Sequence, residues 1–327
     1  MCSCPARKAI RNRNVKTEFA TIDAGGATGA ISTDAGDSRE ALRVFSHAVA
    51  LYAWTAMLLF ALLDAVAVRL AGLNFVDWHV SIGVVAFALV IFAYGWIRRI
   101  DQLADLGQFS ALWLVFSVLV TIFTYCAATS GYPLRDAGLA RFDGMLGLDW
   151  TKCFTFICEH PIISYPLGKA YSSMLLQVFL TVLFLSHTRR RARNEEFIYI
   201  ALIAGLITTV CSIFTPAVGP YLDVPPPWSR TLLEIRSGAT TFAITRVQGI
   251  VCMPSYHTVI AILLIYAHRP PARTFFPALI VNITMLAAIP FAGHHYLADV
   301  FAGAAVVAVT IAIVRTAMAA RLNSLDD

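Results

Sequence analysis

Apolar residues in this chain gather into long runs, and short polar or charged turns separate one run from the next. A helix that crosses the hydrocarbon of a bilayer needs about 20 mostly apolar residues. Eight stretches reach or approach that length, near residues 45–67, 79–97, 110–128, 170–187, 197–217, 250–267, 274–292 and 297–315. The pattern predicts an all-α fold, a polytopic membrane bundle of about eight transmembrane helices. An even number of crossings puts both termini on one side.

Composition points the same way. Of the 327 residues 58% are hydrophobic and 14% charged, and the mean hydropathy is +0.69. Soluble domains carry about a quarter charged residues. The chain has 25 Lys+Arg and 20 Asp+Glu, 45 charges in all, of which 12 lie in residues 1–43 and only 33 in the other 284. An ordinary soluble globule is excluded, as is disorder for the bulk of the chain. The net charge of +5 is too diffuse for a nucleic-acid partner.

Charge also sets the orientation. Seventeen of the 25 basic residues fall on the tails and the even-numbered connections, among them Arg98, Arg99, the cluster Arg189, Arg190, Arg191 and Arg193, then Arg269, Arg273, Arg315 and Arg321. The positive-inside rule therefore expects cytoplasmic termini in an integral protein of the cell membrane, or of the inner membrane in a bacterium.

Four regions follow. Residues 1–43, rich in Ala, Gly, Thr, Ser and charge, read as a disordered cytoplasmic tail without an apolar run of signal-peptide length. Residues 44–109 read as two accessory transmembrane helices, 110–315 as a six-helix catalytic core, and 316–327 as a second cytoplasmic tail. Two outward segments are long, 129–169 and 218–249, and loops of such length usually carry function. In the first, Asp143-Gly-Met-Leu-Gly-Leu-Asp149-Trp150 mixes apolar and charged residues, as helices lying along an interface do. The second runs through Thr215-Pro-Ala-Val-Gly-Pro-Tyr221 and Pro225-Pro-Pro-Trp228, whose prolines argue against regular helix.

Candidate chemistry gathers at two places. Pro254-Ser255-Tyr256-His257 opens the sixth apolar stretch, and Gly293-His294-His295-Tyr296-Leu297-Ala298-Asp299 opens the eighth. Pro and Ser suit a first helical turn, and the free amides of such a terminus attract an anion. His295 and Asp299 are four residues apart, hence on one helical face, so the carboxylate can hold one ring nitrogen and leave the other as a nucleophile. Both motifs begin spans that start on the outer side, so they meet at one face of the membrane. His294 diverges by about 100° and is expected to face a loop or headgroup. Asp64, inside the first stretch, needs a polar partner. Cys126 and Cys211 read as small hydrophobes, and Cys153 and Cys158 as free thiols in preference to a disulfide.

These residues resemble the type 2 phosphatidic acid phosphatase superfamily of membrane lipid phosphatases and phosphotransferases, through Pro-Ser-x-His at 254–257 and His-Tyr-x-x-Asp at 295–299. The closer likeness is to its branch related to inositol phosphorylceramide synthase. It rests on Leu134-Arg-Asp136, on Asp143-x-x-Leu-Gly-x-Asp-Trp150, on Arg236-Ser-Gly and on Gly249-Ile-Val-x-x-Pro-Ser-x-His257. The resemblance implies that His295 attacks phosphorus and becomes phosphohistidine, that Asp299 orients it, and that His257 protonates the departing alkoxide and then deprotonates the incoming water or alcohol. Ser255 and nearby amides would hold phosphate oxygens. Neither metal nor cofactor is implied, and the substrate would be a phospholipid or sphingolipid-type molecule reached from the outer face.

The chain departs from the superfamily pattern where it lacks the Lys…Arg-Pro motif and has Ala288-Ile289 in place of Ser-Arg. Phosphoryl transfer depends on positioned positive charge, so replacements are required. Arg236 and then Arg246 are the phosphate-binding candidates, with Arg135, Arg141 and Lys169 read as headgroup contacts. The rival readings are a lipid phosphate phosphatase, a non-catalytic member of the superfamily, and a transporter with a His–Asp proton relay. Transporters place such groups near the bilayer midplane, often in repeated halves, and no repeat is present. A zinc site on His257, His294, His295 and Asp299 has suitable ligand types, but the phosphotransfer pattern already accounts for these residues.

Overall fold

The computed structural model describes residues 30–77, 79–243, 249–270 and 273–326. Two units are distinguished, Met1–Tyr52 and Ala53–Asp327. The described part of the first is the beginning of helix α1, and the fold lies in the second.

The architecture is an all-α polytopic bundle. Among the described residues twelve helices follow in order: α1 (Ala30–Ala71), α2 (His79–Ile97), α3 (Asp101–Ala128), α4 (Asp136–Met145), α5 (Trp150–Glu159), α6 (Pro161–Ser172), α7 (Met174–His187), α8 (Arg191–Phe214), α9 (Pro227–Arg236), α10 (Tyr256–Ala267), α11 (Phe275–Ala292) and α12 (Leu297–Asp326). Two short strands, β1 (Asn74–Val76) and β2 (Thr241–Ala243), pair in parallel with Phe75 opposite Phe242. They tie the segment after α1 to the segment after α9.

Each of the eight apolar stretches contains helix, yet fewer are long enough to cross a membrane alone. Five are, within α1, α3, α8, α11 and α12, and a sixth arises if α6 and α7, bent by 52° about their break, form one span. Ile82–Ile97 and Tyr256–Ala267 are apolar but shorter. In α10 the shortening has a local cause, because residues up to Pro254 run without helix and Ser255 starts it as an N-cap. Twelve residues rise only about 18 Å against roughly 30 Å of hydrocarbon. The α6–α7 break falls at Ser173, whose hydroxyl donates to Ala170 O at 2.7 Å and so competes with helix continuation.

Helix reaches into both tails. Residues 1–29 lie outside the described set, but α1 already begins at Ala30, within the segment read as disordered. Ala, Leu, Arg and Glu at 39–43 are strong helix formers, so the helix extends ahead of the apolar run. At the other end α12 continues to Asp326. In the second long segment Pro227 takes the first position of α9, where a missing N–H costs nothing, so a helix forms despite the prolines.

Helix α10 sits at the centre, packed on α7, α8, α11 and α12. Val259, Ile260, Ala261, Leu263 and Leu264 are fully buried against Phe197, Ile198, Ala201 and Met285. At the end of the bundle opposite the two motifs, Arg191 pairs with Asp105 and Glu195, and Arg269 with Glu196. Arg193 donates to Arg269 O at 2.7 Å. Several arginines that carry the orientation signal thus also fasten α8 to its neighbours. Asp64 is buried, and neither carboxylate oxygen has a hydrogen-bond partner among the described residues.

Candidate active site

The two motifs are joined through the backbone. Ser255 N donates to Asp299 O at 3.0 Å, and a Cβ added at Gly303 would stand 2.5 Å from Ser255 O. Only glycine at 303 lets α12 approach the start of α10 this closely.

His295 precedes α12 rather than lying on it, so its relation to Asp299 is not that of a helical face. Asp299 is the third residue of the helix, and its Oδ2 turns back to accept from Tyr296 N at 3.0 Å, the reciprocal half of a capping box. The same oxygen is 3.2 Å from His295 Nδ1 and accepts from Cys252 Sγ at 3.0 Å. A proton held on Nδ1 is thereby directed to the carboxylate, which leaves Nε2 with its lone pair. The His295 ring stacks on Trp228 of α9, with centroids 6.0 Å apart and planes 17° from parallel.

His257, in the first turn of α10, stacks on Tyr171 of α6 at 4.2 Å and 13°, and the Tyr171 hydroxyl is 3.4 Å from its Nδ1. His257 and His295 line one cavity of about 590 Å³. Its other walls include Trp113, Phe116, Ser117, Thr121 and Thr124 of α3, with Met174, Thr208 and Trp228. Among the described lining residues none is Lys, Arg, Asp or Glu, and Thr121, Thr124, Thr208 and Thr209 donate their hydroxyls to carbonyls of their own helices. From Thr124, beside Gly249, to Trp113, stacked on Phe197 of α8, the wall of α3 runs about 16 Å by helical rise. The cavity is therefore elongated and apolar, with two imidazoles.

The first long segment builds the approach to α12. Asp143, 2% exposed, accepts from Leu297 N at 2.9 Å and Ala298 N at 3.4 Å, and so satisfies the first amides of that helix. Burial raises its carboxyl above the usual range, against the opposing pull of those amides. Asp136 accepts from Val218 N, Gly219 N and the Tyr296 hydroxyl. Gly219 has φ +79, and a Cβ there would meet His294 O at 2.3 Å. Trp150 Nε1 donates to Pro290 O at 2.7 Å, just ahead of the motif. Leu134, Asp136, Asp143, Asp149, Trp150, Val218–Tyr221 and Tyr296 line a second cavity of about 630 Å³.

Not all candidates come together. Ser255 is fully buried, and its Oγ accepts from Thr258 N at 3.4 Å, so it caps α10 and does not line the cavity. Arg236 is exposed at the end of α9 and donates to Ser130 O at 3.2 Å and Tyr132 O at 2.8 Å. Those carbonyls hold its guanidinium away from the lining of the histidine cavity. Arg246 lies outside the described residues. Arg135, Arg141 and Lys169 are exposed. His294 faces the loop, its Nδ1 3.1 Å from Pro220 O, and burial lowers its basicity. Cys153 and Cys158 are free.

Three residues at the site had no sequence signal. Nothing in the sequence singled out Cys252, and Tyr171 and Trp228 reach the histidines from distant segments.

An apolar helical bundle in which His257 and His295, the latter paired with Asp299, line one cavity is a polytopic membrane protein with two imidazoles at one site. The sequence model of the PAP2 superfamily matches residues 137–313, more than half of the chain, and the chain belongs to that superfamily. Membership makes it a lipid enzyme of the phosphatase or phosphotransferase type. No curated protein and no solved structure matches the chain.

Proposed function

We propose that the chain is a metal-independent lipid phosphotransferase of the branch resembling inositol phosphorylceramide synthase, acting through a phosphohistidine at the outer membrane face. The observation that carries this reading is the His295–Asp299 pair opening, with His257, onto one elongated apolar cavity. The aliphatic part of the donor lies along α3, where a charge-free wall favours hydrocarbon. Asp299 holds Nδ1 of His295 and stabilises the charge that builds on the ring as Nε2 attacks phosphorus. His257 gives its proton to the departing alkoxide and then takes one from the acceptor hydroxyl.

The phosphoryl oxygens need positive charge. Arg236 and Arg246 are the candidates for that role; Arg236 donates to the loop carbonyls of Ser130 and Tyr132, and Arg246 stands three residues before the cavity-lining Gly249 in sequence. The amides opening α10 add to it.

Transfer is preferred to hydrolysis because of the second cavity. It is formed by the two long outer segments together with Tyr296, next in sequence to His295, and its wall carries Asp136, Asp143, Asp149 and Tyr296. Carboxylates and a phenol suit an acceptor rich in hydroxyl groups. Such an acceptor must outcompete water at about 55 M, which orientation in a pocket achieves.

The experiment is product partitioning. With a labelled lipid donor and a polyol or lipid-alcohol acceptor at millimolar concentration, transfer product should exceed free phosphate, and Asp149→Ala should shift the ratio toward phosphate. Free phosphate alone across a broad acceptor panel identifies a lipid phosphatase instead.

A further inference from the structure

The phosphotransfer reading uses His295 and Asp299 but has no task for the thiol that touches both. Cys252 is 2% exposed, on the segment just before α10. Its Sγ stands 3.0 Å from Asp299 Oδ2 and 3.7 Å from His295 Nδ1, and those two atoms are 3.2 Å apart. Sulfur, nitrogen and oxygen donors therefore form a small buried triangle, one member of which, His295, also lines the cavity.

That triangle has the dimensions of a tetrahedral metal site. With zinc at about 2.3 Å from sulfur and roughly 2.0–2.1 Å from nitrogen and oxygen, the donors stand roughly 3.3–3.6 Å from one another. Two observed sides, 3.7 and 3.2 Å, lie close to that range, and the third, 3.0 Å, is a side now shortened by a hydrogen bond.

A second observation is independent of this triangle. Asp299 is fully buried, and while its Oδ2 takes three contacts, its Oδ1 has no hydrogen-bond partner among the described residues. A buried carboxylate oxygen without a donor is costly, and a cation held by both oxygens of Asp299 would relieve it. Charge balance favours the same ligand. A thiolate and a carboxylate neutralise a dication, which is the condition for burying one. The thiolate and imidazole select a thiophilic ion over magnesium or calcium, which prefer all-oxygen shells.

We propose that Cys252, His295 and Asp299 form an inhibitory site for a thiophilic divalent cation, with zinc as the representative ion and a water from the cavity in the fourth position. Loading releases the Cys252 thiol proton and shifts the proton of His295 from Nδ1 to Nε2, so that the ring stays neutral. The ion then occupies the nitrogen that Asp299 must orient, and Nε2, now carrying the proton, has no lone pair with which to attack phosphorus. Cation-bound and phosphorylated states of His295 exclude one another.

The test uses the full-length protein in detergent, freed of metal by chelator and dialysed against zinc in the presence of millimolar magnesium. One zinc per chain is expected, with turnover falling in proportion to occupancy and returning on chelation. Cobalt in place of zinc should give a sulfur-to-cobalt charge-transfer band. Cys252→Ala should weaken zinc binding by more than about 100-fold, above the 10–100-fold cost of losing a supporting residue, and should abolish the cobalt band, whereas Cys211→Ser should leave both unchanged. Zinc bound equally by Cys252→Ala, or a cobalt complex of the wild type without the thiolate band, overturns the site. Turnover that rises with zinc overturns its inhibitory character. Binding and spectrum are read without turnover, so the site is judged apart from the catalytic reading.

Discussion

In the proposed mechanism His295 is a nucleophile only while its Nδ1 proton has a fixed destination, and Asp299 Oδ2 at 3.2 Å supplies one. His295→Ala and His257→Ala are therefore each expected to abolish turnover in a protein that still folds. Asp299→Asn should lower kcat by about 10²–10⁴-fold, the usual worth of acid–base assistance, with little change in KM. Steady-state kinetics on the three purified variants checks this. The pairing of 295 with 299 was legible from spacing and residue type, although its geometry is that of a capping turn rather than a helical face. Cys252, Tyr171 and Trp228 were not legible. Their contacts with the histidines cross 43, 86 and 67 positions of the chain, and nothing in the pattern around a buried thiol or an aromatic ring tells which distant group it meets. Arg236 is the opposite case. Nearness in sequence to the motif suggested a role, while the carbonyls of Ser130 and Tyr132 claim its guanidinium.

At the scale of elements, the start of α12 is what holds His295 in place, and Asp143 holds that start. Asp143→Ala leaves the amides of Leu297 and Ala298 without their acceptor inside the protein. A loss of about 1–3 kcal/mol is expected, the cost of unsatisfied buried groups, together with reduced turnover. Thermal unfolding in detergent alongside activity is the check, and Asp143→Asn should recover part of both. The apolar runs announced every long helix because burial in hydrocarbon constrains composition for some 20 residues at a time. The break at Ser173 and the short α10 were hidden, since a hydroxyl that bonds backward and a helix that starts late leave the composition of the run unchanged. Proline at the first position of α9 was misread for a related reason, because the same residue breaks a helix inside and starts one at its end.

For the whole molecule, both motifs and both cavities lie at the end of the bundle away from the arginine cluster 189–193. The proposed orientation puts that end outside the cell. Ala292→Cys, at the exposed end of α11, should react in intact cells with an impermeant thiol reagent once native thiols are masked, and Arg189→Cys only after permeabilisation. Reversed labelling would put the site on the cytoplasmic side. The central claim, that phosphoryl groups pass through His295, is tested most directly by rapid acid-free quenching of the enzyme with a labelled lipid donor and mapping of the protein-bound phosphate. The account predicts an acid-labile, base-stable phosphoramidate on His295, absent from His295→Ala. Turnover without any such adduct, or a phosphate carried by another residue, would contradict it.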